Sequence, residues 1–271
     1  MAVHPDGTLF FAASDEKLQA ISPSDGKPLW VRDHALAADG TMSNPIAGVG
    51  DRLFLTHNRV AQRSDGEPIQ APTVNGKKVN VYGAAFSRKL LASYSYSPEL
   101  FVLDECGQLV WSLQAYNAVF AHSIVGFDDS LLTTATAYNG VDYGERKLYR
   151  YSIDGTVLAG PYSTGGVTNP LALGADGVYY VATCPLGDTE GDLELLALSE
   201  SFELVDKVNL GPPCGASGVL LDDGMLVITR STVPDYKPEF VRVQTASPGL
   251  AKTAWPTNGR DNSRTAWLAA W

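Results

Sequence analysis

The chain has 271 residues, 45% of them hydrophobic and 18% charged, and its 30 acidic against 20 basic side chains give a formal net charge of −10. That excess disfavours nucleic acid and anionic membrane as partners, since neutralising phosphate needs clustered Lys and Arg, and favours basic or neutral ones. No stretch reaches the roughly 18 apolar residues that span a bilayer, and Met1-Ala2-Val3-His4-Pro5 has neither the basic region nor the apolar core of a leader, so no direct membrane insertion is expected.

In chain order, Asp6-Gly7 is a turn, Thr8 to Ala13 is β-prone, and Asp15-Glu16 turns the chain again. Leu18 to Ile21 is a second short strand, Ser22 to Gly26 is a turn cluster, and Leu29-Trp30 opens a last strand. Turn residues at this density leave no room for a helix. The grammar recurs. Arg52 to Leu55 follows Asp51, and Ser64-Asp65-Gly66 repeats the third turn. Leu100 to Leu103, then Asp104-Glu105-Cys106-Gly107-Gln108-Leu109-Val110-Trp111, repeats the back half. Further rounds open at Asp128, Asp176 and Asp222, the last ending at Trp255. Counting first turns at Asp6, Asp51, Arg88, Asp128, Asp176 and Asp222, the period is about 43 residues, that of a four-stranded propeller blade. A sheet apolar on both faces cannot bury them alone, so the units are expected to stack around an axis. The expected fold is an all-β propeller of six four-stranded blades, or seven if the tail completes one. The units lie near 1–42, 43–80, 81–120, 121–166, 167–213 and 214–255, with 256–271 as a tail that packs on the propeller or closes it.

The run Asp6-Gly7-Thr8-Leu9-Phe10-Phe11-Ala12-Ala13-Ser14, followed by Leu18-Gln19-Ala20-Ile21-Ser22-Pro23-Ser24-Asp25-Gly26-Lys27-Pro28-Leu29-Trp30, resembles the repeat of the PQQ-like, or quinoprotein-dehydrogenase-like, β-propeller superfamily. Units 3 and 6 keep the terminal tryptophan and the others keep only the strands. The segment from Trp255 to Thr265 also resembles one that flanks such propellers in bacterial cell-envelope proteins. The resemblance covers nearly the whole chain and speaks to fold more than function. It brings a quinone cofactor to mind, which the sequence argues against. Family dehydrogenases that hold PQQ have about eight blades, a vicinal cysteine pair and calcium near a catalytic aspartate, whereas this chain is about half their length and has no Cys-Cys pair. No cofactor is expected. What remains resembles the non-catalytic branch that includes the propeller lipoprotein of the outer-membrane-protein assembly machine. An exported chain, periplasmic or at the cell surface, is the corresponding expectation, in keeping with a first unit that begins almost at residue 1, as in a domain cloned without its leader or anchor.

Three cysteines are present. Cys184 follows the second strand of unit 5 and Cys214 precedes the first strand of unit 6, connections that lie on one face of neighbouring blades. A Cys184–Cys214 disulfide is one expectation and two ordinary buried thiols the other. Cys106, in the opposite-face turn, is expected to be free.

Candidate chemistry is sparse. The chain has no Gly-x-Ser-x-Gly elbow, phosphate loop, dinucleotide fingerprint, His-Glu-x-x-His or Cys-x-x-Cys. Asp33, His34 and Asp39 share a connection but match no metal-ligand spacing. Asp188, Glu190, Asp192 and Glu194 alternate as in a calcium loop but lack its required offsets, so no metal is expected. Asn44, Tyr82, His122, Asn169 and Ser217 fall at matching offsets before the first turns, where the innermost strand opens onto the axial channel. Such a ring either grips a small ligand or satisfies strand ends and channel water.

The long connections are the better surface. His57 to Arg59, Tyr94 to Ser97 with Tyr96, the insertion Ala135 to Lys147 with Tyr138 and Tyr143, Cys184 to Glu194 with Asp188 and Asp192, and Arg230 to Pro238 with Tyr236 are aromatic and acidic where a structural face would use tight turns. The sequence therefore reads as a monomeric, non-catalytic scaffold that binds a protein partner in the cell envelope. Alternatives are a carbohydrate binder using Tyr94, Tyr96, Tyr138 and Tyr143, and an enzyme at the channel mouth with His122 as base or metal ligand. Trp267 and Trp271 stand four apart, a spacing that suits one face of a helical turn, and are read as a plug packed against the propeller or as a strand joining terminal blades.

Overall fold

The computed structural model describes residues 2–4, 6–12, 17–33, 45–49, 51–55, 59–70, 73–74, 77–78, 83–87, 90–94, 99–104, 108–114, 118–138, 143–186, 191–213, 217–232, 237–253 and 267–268. Among these there is no helix. The first sheet is β1 (Ala2–Val3), β2 (Leu9–Ala12), β3 (Lys17–Ile21) and β4 (Pro28–Asp33). The second is β5 (Pro45–Val49), β6 (Arg52–Leu55), β7 (Arg59–Gln62) and β8 (Pro68–Ile69), followed by a small hairpin of β9 (Thr73–Val74) and β10 (Lys77–Lys78). The third is β11 (Gly83–Ser87), β12 (Leu90–Tyr94), β13 (Glu99–Leu103) and β14 (Leu109–Gln114). The fourth is β15 (Ala118–Val125), β16 (Leu131–Tyr138), β17 (Tyr143–Tyr151) and β18 (Val157–Tyr162). The fifth is β19 (Gly166–Leu173), β20 (Tyr179–Pro185), β21 (Glu194–Leu198) and β22 (Leu204–Asn209), and the sixth is β23 (Ser217–Leu220), β24 (Met225–Thr232) and β25 (Lys237–Gln244). Each is an antiparallel meander in sequence order.

Carboxylates make the turns between these strands. Thr8, Lys27, Glu67, Ser130, Thr156, Val178 and Met225 each donate their main-chain N–H to the aspartate two residues earlier, at 2.9–3.2 Å. An aspartate that accepts from its own backbone two residues on mimics a turn, which is why the repeated Asp-Gly and Asp-x-Gly runs punctuate the chain.

Successive sheets meet through their first strands: β1 abuts β5, β5 abuts β11, β11 abuts β15, β15 abuts β19, and β19 abuts β23. That is the arrangement of blades around an axis. It lets a sheet be covered on both faces, and in β20 every residue from Tyr179 to Cys184 is buried. The apolar core is the series of junctions, with Phe10, Phe54, Leu100 and Phe120 in one cluster, Tyr179, Leu198 and Phe202 in a second, and Leu171, Leu195 and Ile228 in a third. Outer strands are exposed. β22 is exposed throughout and β4 shields only Trp30.

After β25 the chain does not run out along the sixth sheet. It crosses the turn side of its neighbours: Ala175 N–H donates to the Gly249 carbonyl at 2.8 Å, Ala251 N–H to Leu173 at 2.9 Å, and the Thr253 hydroxyl to Val125 at 2.8 Å. Further on, β26 (Trp267–Leu268) pairs parallel with Gly48–Val49 of β5. Trp267 thus lies in a strand along an open edge of β5 and not in a helical turn. Trp271 lies outside the described residues.

The tryptophans show how junctions are made. Trp30 Nε1 donates to the Arg63 carbonyl of the second sheet at 2.9 Å, and Trp111 Nε1 donates to Ile153 of the fourth at 2.8 Å. Each indole lies on a turn glycine with positive φ, Gly66 at 77° and Gly155 at 88°. A Cβ on Gly66 would stand 2.7 Å from the Trp30 ring and one on Gly155 would stand 3.2 Å from that of Trp111. Glycine is required there twice, for its φ and for the ring's approach. Trp30→Ala and Trp111→Ala should each lower unfolding free energy by about 3 kcal/mol. Because they act at separate junctions, the double variant should lose the sum. Urea denaturation followed by circular dichroism measures this, and near-zero losses would show that the indoles are ornamental.

Candidate functional site

The fourth and fifth sheets meet along a polar seam with two ends. At the end nearer the β16–β17 connection, Arg146 of β17 donates from Nε to Thr136 Oγ1 at 2.9 Å and from Nη1 to the Asn169 Oδ1 of β19. Glu145 accepts from the Ser163 hydroxyl and, at 2.8 Å, from the Gly165 N–H. The Ser163 hydrogen bond leads the effects that hold its carboxyl below the usual range, outweighing the opposing push of burial. Thr164 bridges the buried Thr168 at 3.0 Å and Thr183 at 2.7 Å. Main chain and side chains of the connection between the two sheets are thereby tied to both.

At the turn end, Arg150 is buried at 8% exposure. Its guanidinium donates to Ser130 Oγ at 2.8 Å, Asp128 Oδ2 at 2.6 Å, the Glu200 carbonyl at 3.0 Å and Glu200 Oε2 at 3.2 Å. Burial alone would raise the Asp128 carboxyl, but hydrogen bonds from Ser130 and the Arg150 charge hold it below its ordinary value. Burial pushes the neighbouring Tyr179 phenol up to about 12. Between the fifth and sixth sheets, Arg230 joins Glu239 at 2.8 Å to the carbonyls of Leu210 at 2.7 Å and Gly211 at 3.0 Å. These are satisfied cross-sheet clamps. Among the described residues no three His, Cys, Asp or Glu side chains gather where they could hold a metal.

The expected channel-mouth ring falls as follows. Asn169 pairs directly with Ala182 and its amide is engaged by Arg146. Ser217 is exposed at the start of β23 and its carbonyl accepts the Thr229 hydroxyl at 3.3 Å. His122 is in β15, where the register steps from Ala121 opposite Thr134 to Ser123 opposite Thr133, leaving His122 as the extra residue of a bulge. It therefore does not occupy the same place in its sheet as Asn169. Asn44 and Tyr82 lie outside the described residues.

For the surface set, Arg59 opens β7, Tyr94 ends β12, and Tyr138 and Tyr143 stand opposite each other in the register of β16 and β17. Asp192 accepts the Asn209 amide at 2.6 Å. His57, Tyr96, Asp188 and Tyr236 lie outside the described residues. The run Ala135 to Lys147, expected as an inserted loop, is largely strand, since β16 continues to Tyr138 and β17 starts at Tyr143. Sequence reasoning missed the clamps. An arginine inside an apolar strand, as in Leu148-Tyr149-Arg150-Tyr151, is the available signal, since a charge in such a place needs partners. Cys184 is 7% exposed and disulfide-bonded. Cys106 and Cys214 lie outside the described residues.

No protein-family model and no curated protein matches the chain by sequence. Solved structures do match. The computationally designed Ika8 protein has a TM-score of 0.61 at 13% identity, over 89% of this chain and 70% of that one. The β-propeller domain of Cps50 (Swd1) from Myceliophteria thermophila has a TM-score of 0.54 at 11% identity, over 87% and 80%. BamB from Moraxella catarrhalis has a TM-score of 0.50 at 13% identity, over 90% and 82%. Meander sheets stacked by their first strands, together with these likenesses, define the chain as an all-β propeller.

The acid behaviour of the turn-end clamp follows from its geometry. Asp128 has a folded pKa below its unfolded one, so the unfolded state takes up its proton first. The contribution to stability is complete above the unfolded carboxylate range, near pH 4, and is lost as pH falls through the folded value. Asp128→Asn should therefore lower stability at pH 7 by about 1 kcal/mol, discounted for a half-exposed carboxylate, and by less at pH 3. Thermal melts across that range measure the difference, and a pH-independent loss would assign the effect to packing.

Proposed function

We propose that this propeller is a non-catalytic scaffold that binds a protein partner through the side carrying its β16–β17 and β24–β25 hairpins. The observation that supports this is strand length. β16, β17, β24 and β25 have 8, 9, 8 and 8 residues, where β6 and β7 have 4 each. At about 3.3 Å per residue, the longer strands reach roughly twice as far. A sheet needs only the shorter length to cover its neighbour, so the excess is available for contact. Carboxylates and tyrosines in these connections, on a chain of net charge −10, suit a basic or neutral protein. We read the sheets as six blades and place the protein in the cell envelope, as the likeness to the PQQ-like repeat implies.

A photo-crosslinking residue placed at Lys147 or Thr232 should yield one common adduct in the native host, with none from the same residue at Asp25 or Asp65 in the turns of the first two sheets. Adducts from the turns alone, or none anywhere, would overturn the reading.

The disulfide belongs to the same proposal. Cys214 is the partner we assign to Cys184, because Leu210 packs in the core cluster that contains Cys184 and Pro213 is buried one residue before Cys214. Disulfides persist in oxidising compartments, which supports export. Non-reducing peptide mapping should recover a Cys184–Cys214 peptide with Cys106 alkylated, and reduction should lower stability by about 3 kcal/mol for a loop of this length. A Cys106–Cys184 peptide would refute the pairing.

A further inference from the structure

Four of the outer strands present a residue at one matching place, four positions in sequence after a glycine or the left-handed Phe202: Trp30 after Gly26, Trp111 after Gly107, Ala159 after Gly155, and Asp206 after Phe202. At two junctions that residue is an indole docked on the next sheet's turn. Between the fourth and fifth sheets the parts are exchanged. Ala159 leaves the space, and Phe202, at φ 66° in the place of the turn glycine, is 7% exposed and packs edge-on to Tyr162 at 6.0 Å. The turn carbonyl of Glu200, counterpart of Ile153, accepts Arg150 where the indole N–H would donate.

Between the fifth and sixth sheets no described residue fills the place. Asp206 is exposed, and beside it lies a cavity of about 290 Å³. Its apolar walls are Leu195, Val205 and Val208 of the fifth sheet and Val243 of the sixth, and the charged residues that line it are Asp176, Asp206 and Lys207. Val205 is 61% and Val208 39% exposed, which leaves this wall open to solvent. The acceptor is also in place. Arg63 N–H bonds back to Asp51 at 2.8 Å and Thr245 N–H to Gly224 at 3.1 Å, which makes Thr245 the counterpart of the residue whose carbonyl receives Trp30. Thr245 lines the cavity, and its carbonyl, which accepts the Gln244 amide at 3.3 Å, has a second lone pair for a further donor.

We propose that this junction is an open tryptophan dock, which takes a tryptophan side chain from a second polypeptide with a basic residue beside it. Of the chain's own tryptophans, Trp30 and Trp111 are docked and Trp267 is in β26 on the second sheet, while Trp255 and Trp271 lie outside the described residues. Of the charged residues lining the cavity, Lys207 is neutralised by its pair with Glu194 at 2.5 Å, so the two carboxylates select for the basic neighbour. The site is on the turn side, away from the hairpins, and does not depend on them.

The probe is the capped dipeptide N-acetyl-lysyl-tryptophanamide, with N-acetyl-lysyl-alaninamide as control, followed by ¹³C-methyl NMR. Saturable shifts should appear on Leu195, Val205, Val208 and Val243 and be at least tenfold weaker with the alanine control. Asp206→Trp, which fills the dock from within, should abolish them and raise the melting temperature. If that variant does not fold, Val205→Glu replaces it. A chain with the β16–β17 hairpin shortened should bind the dipeptide unchanged, which separates this site from the hairpin face. Absence of shifts up to the dipeptide's solubility limit, or equal shifts in a folded Asp206→Trp, would overturn the proposal.

Discussion

A sheet that is apolar on both faces must be covered on both, and everything else in this protein follows from how that is done. β20 buries six consecutive residues, which no isolated meander can do. The cover comes from the sheets before and after it, so stability resides in the junctions, each of which needs a filler and a partner for the turn carbonyl it covers. The indoles of Trp30 and Trp111 supply both in one side chain, a large apolar ring and one N–H donor. Their cost is a glycine in the facing turn, since any Cβ would displace the ring.

The fourth and fifth sheets meet the same two needs with different groups. Phe202 fills the space from the turn's own side, and Arg150 serves the carbonyl from the strand behind it. Phenylalanine has no donor, so the exchange works only because a guanidinium with several N–H groups can reach the Glu200 carbonyl, Ser130 and two carboxylates together. The seam is then pinned at its other end by Arg146, Glu145 and the threonine cluster. A charged clamp is costly to bury, and its return is geometric: removing one member would strand the rest, so the two sheets keep one relation. The long β16–β17 hairpin rises from this doubly pinned region, and the binding face we assign to it is correspondingly preorganised.

The all-β class was legible because its turn chemistry is local. An aspartate that accepts the N–H two residues on leaves its mark within three positions, and the chain repeats that mark. The periodic tryptophans were legible for the same reason, although nothing in the sequence says which turn each one meets. The clamps were not legible, because Arg150 gains its meaning from Glu200, fifty residues away in another sheet. The Ala135 to Lys147 run misled because its polar residues resemble a loop, whereas alternation along a strand that projects beyond its neighbours is also polar. The spacing of Trp267 and Trp271 left a plug and a strand equally open, and it is the free edge of β5, invisible to spacing, that makes Trp267 part of a strand. At the channel mouth, turn offsets aligned His122 with Asn169, but His122 is the extra residue of a bulge while Asn169 pairs directly with Ala182, two residues before the bulge of its own strand, a distinction offsets cannot reveal.

The segment from Thr245 to Thr253 closes the argument about which side does what. It leaves the sixth sheet, bonds to Ala175 and Leu173 of the fifth and to Val125 of the fourth, and so lies across the turn side of three sheets. Its last bond joins residues 128 apart, and the β26–β5 pairing is longer still. Contacts of that separation form late, because the loop they close must be ordered before they contribute. A segment of this kind fastens an arrangement that the junctions have already chosen. It occupies the ends of inner strands on one side of the propeller, and among the described residues that side's outer grooves and the opposite side's hairpins are the surfaces left uncovered.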